Sequence, residues 1–131
     1  MIGFAGQRVV ITGAGGGVGS AVTLAFTKAG ASVVACDMLG ADLTLQCAAE
    51  SHLFDLRDQT AVAKVAADIL ATGPVDVLVS NAGWTRAEVL TSVTPAVLAD
   101  EMDRNFTGAA LFTSTAIFAS LRAARARRYS Y

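Results

Sequence analysis

An α/β fold on a parallel sheet is the class this sequence predicts, on three observations. Short β-branched runs alternate with segments of helical period, glycine turns separate the two, and the mean hydropathy of +0.51 is high for a chain with no membrane-length apolar run. Strands buried on both faces read as unbroken apolar runs, and alanine-rich helices covering them raise the average further. Consecutive parallel strands require right-handed crossovers, so the alternation specifies a sheet with helices outside it.

The elements follow in order. "RVVIT", Arg8 to Thr12, is a β-branched run that stops at glycines, as a buried strand does at a tight turn. Val18, Ala21, Val22, Ala25, Phe26 and Ala29 then recur at helical spacing, and Gly30 stands where a helix C-cap belongs. "SVVACD", Ser32 to Asp37, is a second strand, a short helical piece is expected around Asp42 to Ala49, and "SHLFD", Ser51 to Asp55, is a third strand. Asp58 caps a helix with apolar face Val62, Val65, Ile69 and Leu70, closed by Thr72 to Pro74. "VDVLVS", Val75 to Ser80, gives the fourth strand. Thr94 and Pro95 open a long helix with Leu98, Met102, Asn105, Ala109, Phe112 and Ala116 along one side.

At 131 residues the chain reads as one domain, 1–131. Ten Lys+Arg against eleven Asp+Glu leave no field that would draw nucleic acid or an anionic membrane, so neither is an expected partner. The first residues have no signal-peptide pattern, and no metal set can be made from Cys36, Cys47 and the single His52. Both thiols are expected to be reduced, small core residues of a cytoplasmic protein. From residue 119 the pattern gives way to an irregular basic tail, with four of the ten basic residues between Arg122 and Arg128; these suit a fraying helix C-terminus better than a nucleic-acid arm.

"TGAGGGVG", Thr12 to Gly19, carries the chemistry. A diphosphate must come close to the backbone where free N–H groups and the positive helix pole point at it, and a Cβ would obstruct the approach. Gly13 makes the turn, Gly17 admits the diphosphate and Gly19 lets the helix pack; Gly16 and Val18 complete the loop. Glycine runs also serve turns alone, but this one lies inside a strand–turn–helix unit of Rossmann type. A P-loop is the competing site, and no Gly-Lys-Ser/Thr follows. Asp37 ends the second strand, where its carboxylate can accept from the adenosine ribose hydroxyls and repel a 2′-phosphate. NAD is therefore expected over NADP, the alternative being a solvated loop aspartate.

These motifs, with "SNAG" at Ser80 to Gly83, resemble the short-chain dehydrogenase/reductase family over nearly the whole chain. The glycine stretch fits that family's Thr-Gly-x-x-x-Gly-x-Gly, and also the Gly-x-x-Gly-x-x-Gly of its longer branch through Gly13, Gly16 and Gly19. The "NAG" after the fourth strand favours the shorter branch. The resemblance implies strand order 3-2-1-4, with Asp55 and Leu56 lining the adenine pocket. It gives Asn81, Ala82 and Gly83 a role packing the fourth strand and contacting cofactor ribose, and makes Asn105 the family's helical catalytic asparagine. Read without the family, Asn105 is equally a satisfied core amide. Trp84 either faces the substrate pocket or packs on the sheet rim.

Family chemistry also needs a Ser after a fifth strand and a Tyr-x-x-x-Lys, and neither can be assigned: the last lysine is Lys64, and Tyr129 and Tyr131 have no lysine four positions on. The sheet is therefore expected to be incomplete, with the fourth strand an unprotected edge and Phe112, Ile117 and Phe118 short of partners, which favours self-association. Two readings stay open. One is the dinucleotide-binding portion of an oxidoreductase acting on small alcohols or carbonyls, shortened by truncation, an early stop or a frame error. The other is a non-catalytic nucleotide-binding or interaction module.

Overall fold

The computed structural model describes residues 3–44, 47–114 and 120. Four parallel strands, β1 (Arg8–Thr12), β2 (Ser32–Asp37), β3 (Glu50–Leu53) and β4 (Val77–Val79), form one sheet in the order β3-β2-β1-β4. β1 is central, with Val10 paired to Val34 on one side and to Leu78 on the other. Side chains alternate across the pleat, so adjacent residues enter different layers. Val10, Val34, Cys36 and Phe54 pack against Val62, Ala66 and Ile69 of α2 (Gln59–Ala71) and against Phe112. Val9, Ile11, Val33 and Ala35 face Val22 and Phe26 of α1 (Gly17–Lys28) on the opposite side. The result is the three-layer, Rossmann-type α/β arrangement that the alternation of elements implied.

β1 and β2 have the expected bounds, whereas β3 begins one residue earlier and ends two earlier than expected, and β4 is three residues rather than six. Phe54 and Asp55 have already left the ladder. Val75 and Asp76 precede β4, and the Asp76 carboxylate accepts from the Arg8 amide at 2.9 Å. The helical piece expected around Asp42 to Ala49 is absent among the described residues 42–44 and 47–49. Asp42 instead folds its carboxylate onto the Thr44 amide, at 2.9 Å, a local bond that competes with helix formation.

Asp58 caps α2 by accepting from the Thr60 and Ala61 amides, and Thr94 caps α3 (Pro95–Met102) through the Val97 amide. Beyond α3 a π-helical turn, Asp103–Thr107, leads into α4 (Gly108–Phe112). The wider turn shifts the helix register, and of the stripe expected from uniform 3.6-residue spacing only Phe112 is buried among the described residues, with Ala109 partly so. Leu98 and Met102 are exposed, as is Phe106, while Gly108 and Phe112 are buried. Gly108 lies so close to the Leu56 carbonyl that a Cβ would overlap it. Phe112, expected to lack partners, is 1% exposed and packs on Phe54 with ring centroids 5.5 Å apart. Ala116, Ile117, Phe118 and the basic tail fall outside the described residues apart from Ser120, whose hydroxyl accepts from the Val75 amide at 2.8 Å. Within the described sheet β4 pairs only with β1 and forms an edge.

Two further expectations need correction. Val18, placed on the apolar face of α1, is 69% exposed because it stands at the mouth of the helix, and Thr23 joins the buried face instead. Cys47 is exposed, and only Cys36 is a core thiol. Burial pushes the Cys36 thiol up to about 12, with Glu50 and Asp37 adding to the effect, so it is un-ionised and inert at neutral pH.

Candidate functional site

At the C-terminal ends of the strands lies a cleft of about 360 Å³. Ligands of open α/β sheets bind at this end, where the loops diverge. Gly13, Gly16, Gly17, Val18, Gly19, Asp37, Asp55, Leu56, Asn81, Ala82 and Gly83 all line it, together with Met38, Phe54, Trp84 and Arg104. Asn105 lies beyond its rim.

The glycine turn is shaped by two close approaches. Gly13 has φ +68°, and a Cβ there would stand 2.9 Å from the Ala82 Cα. At Gly19 a Cβ would overlap the Gly13 carbonyl oxygen. Gly17 differs, because nothing lies within 4 Å of where its Cβ would be. Its freedom is toward the cleft.

Unlike α2 and α3, α1 has no side-chain cap, and like them it carries no acidic residue in its first turn. The N–H groups of Gly17, Val18 and Gly19 have no partner within the helix, since the amides of a first turn never do. The helix dipole adds positive potential at the same place. An uncapped helix mouth beside a glycine turn can take phosphate oxygens.

Asp37 is held from two sides. Its carboxylate accepts from the Gly15 amide and from the Met38 amide, both at 2.7 Å, which fixes it beside the turn. Gly15, absent from the sequence-derived site, thus matters through its N–H. The signal for it was the glycine run itself. Across the cleft, Asn81 Nδ2 donates to the Thr12 and Gly13 carbonyls at 3.1 and 3.2 Å. The Thr12 hydroxyl accepts from the Asn81 and Ala82 amides, each at 3.1 Å. These bonds fasten the ends of β1 and β4 together.

Asn105 uses its whole amide in place. Oδ1 accepts from the Trp84 amide at 2.7 Å, while Nδ2 donates to the Trp84 carbonyl at 2.7 Å and to the Glu101 carbonyl at 2.9 Å. The side chain clamps the segment after β4 to the helix, although it is not buried. The amide is thus satisfied, though at an exposed position rather than in the core.

Charge runs along the outer wall. Arg57 grips the Asp55 carboxylate, with Nη2 at 2.6 Å, and reaches Asp100 at 3.1 Å; Asp100 in turn accepts from Arg104 Nε at 2.8 Å. The Arg57 hydrogen bonds hold the Asp55 carboxyl below its ordinary range against partial burial, and Arg104 and Arg57 do the same for Asp100. Groups with depressed folded-state values stabilise the fold above the ordinary carboxylate range, and that contribution disappears as pH falls through the depressed values. Thermal melts from pH 7 to pH 3 are expected to be flat down to about pH 5 and to drop below about pH 4. Asp55→Asn should flatten the drop; an undiminished acid slope in that variant would remove Asp55 from the account.

Comparison with known proteins agrees with this fold. The sequence pattern of the family described as short chain dehydrogenase matches residues 7–127. D-erythrulose reductase of Gallus gallus is 37% identical over 107 residues, covering 79% of this chain and 42% of that protein. D-xylose 1-dehydrogenase of Caulobacter vibrioides is 36% identical over 111 residues, covering 76% and 42%. Among solved structures, a protein of Beutenbergia cavernae provisionally described as an NAD(P)-dependent gluconate 5-dehydrogenase, with NADP bound at low occupancy, superposes with a TM-score of 0.82 at 29% identity, covering 92% of this chain and 51% of that one. The chain spans less than half the length of both curated relatives.

Proposed function

The chain belongs to the short-chain dehydrogenase family, and on that premise we propose that these 131 residues are the dinucleotide-binding portion of an oxidoreductase that uses NAD in preference to NADP. The observation that carries the proposal is the uncapped first turn of α1, open at Gly17 and bordered by Asp37.

The residues present fit such a group. The bare amides of Gly17, Val18 and Gly19 take the diphosphate oxygens, and Gly13 and Asn81 hold the turn in the required shape. Asp37 accepts from the ribose hydroxyls of the adenosine half, and its orientation is already set by Gly15. Asp55 and Leu56 border the adenine. Asn81 to Gly83 form the other wall, with Asn105 keeping the following residue in place. When bound, a nicotinamide dinucleotide supplies or accepts the hydride in alcohol–carbonyl interconversion, so the substrate is a small alcohol or carbonyl compound.

Fixed at the ribose, the Asp37 carboxylate sets the choice of cofactor by repelling a 2′-phosphate, and no cationic side chain other than Arg104 lines the described cleft. Calorimetric titration of the purified chain is expected to show NADH binding at least about tenfold tighter than NADPH, the scale of one repulsive contact in a partly desolvated site. Asp37→Ser should shrink that ratio, mainly by weakening NADH. Equal affinity for the two cofactors in the unmodified chain would refute the selectivity, and no response to millimolar NADH would refute the binding.

A further inference from the structure

Arg104 is the only cationic side chain lining the described cleft, and it projects from the π-helical turn rather than from the glycine loop or the strand ends. Its guanidinium carbon stands 4.5 Å from the centroid of the Trp84 ring, and Nε donates to Asp100 Oδ2 at 2.8 Å. Asp100 Oδ1 is taken by Arg57, which holds Asp55. The guanidinium is thus locked in plane and position by an aromatic face and a carboxylate. Its terminal Nη1 and Nη2 have no hydrogen-bond partner among the described residues. A planar, weakly hydrated cation fixed in this way and half-buried in a cleft is suited to stacking on an aromatic ring and donating at its edge.

The position selects the ligand moiety. With the diphosphate at Gly17 and its ribose at Asp37, the attached base lies over Phe54, Asp55 and Leu56, and Arg104 is close enough to Asp55 to help hold its carboxyl down. We propose that Arg104 is an adenine-contacting residue of the dinucleotide site, its guanidinium braced by Trp84 and Asp100 so that it forms the outer wall against the base. This rests on the dinucleotide reading and adds a contact to it. Trp84, the only tryptophan of the chain, reports on the same place.

ADP-ribose, which has the adenine, both phosphates and no nicotinamide, is the probe. Titrated by calorimetry and by Trp84 emission, the 131-residue chain should bind it with a change in emission. Arg104→Met should bind about tenfold more weakly, the range of a partly desolvated cation–π contact. Arg104→Lys should lose about fivefold although it keeps the charge, because the planar fork is gone. Circular dichroism confirms that each variant is folded. Lys-variant affinity equal to the parent's would mean that charge alone acts, and would overturn the proposal, as would an unchanged Met variant. A parent that binds neither ADP-ribose nor NADH would instead overturn the dinucleotide reading beneath it.

Discussion

Gly17→Ala should leave the chain folded and equally stable, yet cost about a hundredfold in NADH affinity, whereas Gly19→Ala should damage the fold itself. The two glycines differ by what surrounds them. A methyl at Gly17 enters empty space at the cleft and gives the helix a residue of better propensity, so stability holds or rises by up to about 1 kcal/mol. In the proposed site that space is where a diphosphate would approach the amides, and displacing it from two or three charge-assisted hydrogen bonds corresponds to about 3 kcal/mol. A methyl at Gly19 meets the Gly13 carbonyl, which cannot retreat because Gly13 is itself against Ala82. Overpacking against backbone costs roughly 2–3 kcal/mol, and binding falls with it. Denaturant melts and NADH titrations of both variants separate the effects. Unimpaired binding by Gly17→Ala would place the phosphates elsewhere.

Arg8→Met should be the most destabilising change away from the cleft. Arg8 Nη1 donates to the Ile69 and Gly73 carbonyls at 2.7 and 2.6 Å, and Nη2 to Glu50 at 2.6 Å and to the Thr72 hydroxyl at 2.5 Å. One side chain at the start of β1 therefore satisfies the C-terminal carbonyls of α2 and ties them to β3. Partial burial would raise the Glu50 carboxyl, but hydrogen bonds from His52, Arg8 and Thr72 outweigh it and hold the carboxyl low. Without Arg8, Glu50 keeps its charge and loses its main partner. Breaking a part-buried pair from one side while also freeing two backbone carbonyls costs about 2–3 kcal/mol, a sizeable part of the 5–15 kcal/mol typical of a domain. Chemical denaturation should show the loss, and adding Glu50→Gln should recover part of it. Full additivity of the two substitutions would mean that the pair is not coupled.

Local signals in the sequence were enough for β1, β2 and the capped ends of α2 and α3. Each is set by neighbours in the chain: β-branched runs ending at glycine, Asp58 before an apolar period, Thr94 before Pro95. The glycine turn and Asp37 were legible for a related reason, since their placement follows where strands end, whereas Asp55 and the Asn81 segment were implied by the family resemblance; all of them line one cleft. Features fixed by distant contacts could not be read. The π-helical turn has no signature in "DRNFT", and the expected stripe is buried at Phe112 but exposed at Leu98 and Met102. Arg8 has no local sign of its role, since four of its partners lie 42 to 65 positions away. Nothing next to Arg104 in the chain marks it, because its setting is made by Trp84 and Asp100.

The fastening of Asn81 to Thr12 and Gly13 has one more implication. The amide that steadies the nucleotide turn is carried on the residue two places beyond β4, an edge of the described sheet. Rigidity at that margin and rigidity of the phosphate cradle are therefore one mechanical property. A displacement of that border would therefore reach the turn directly through these two bonds.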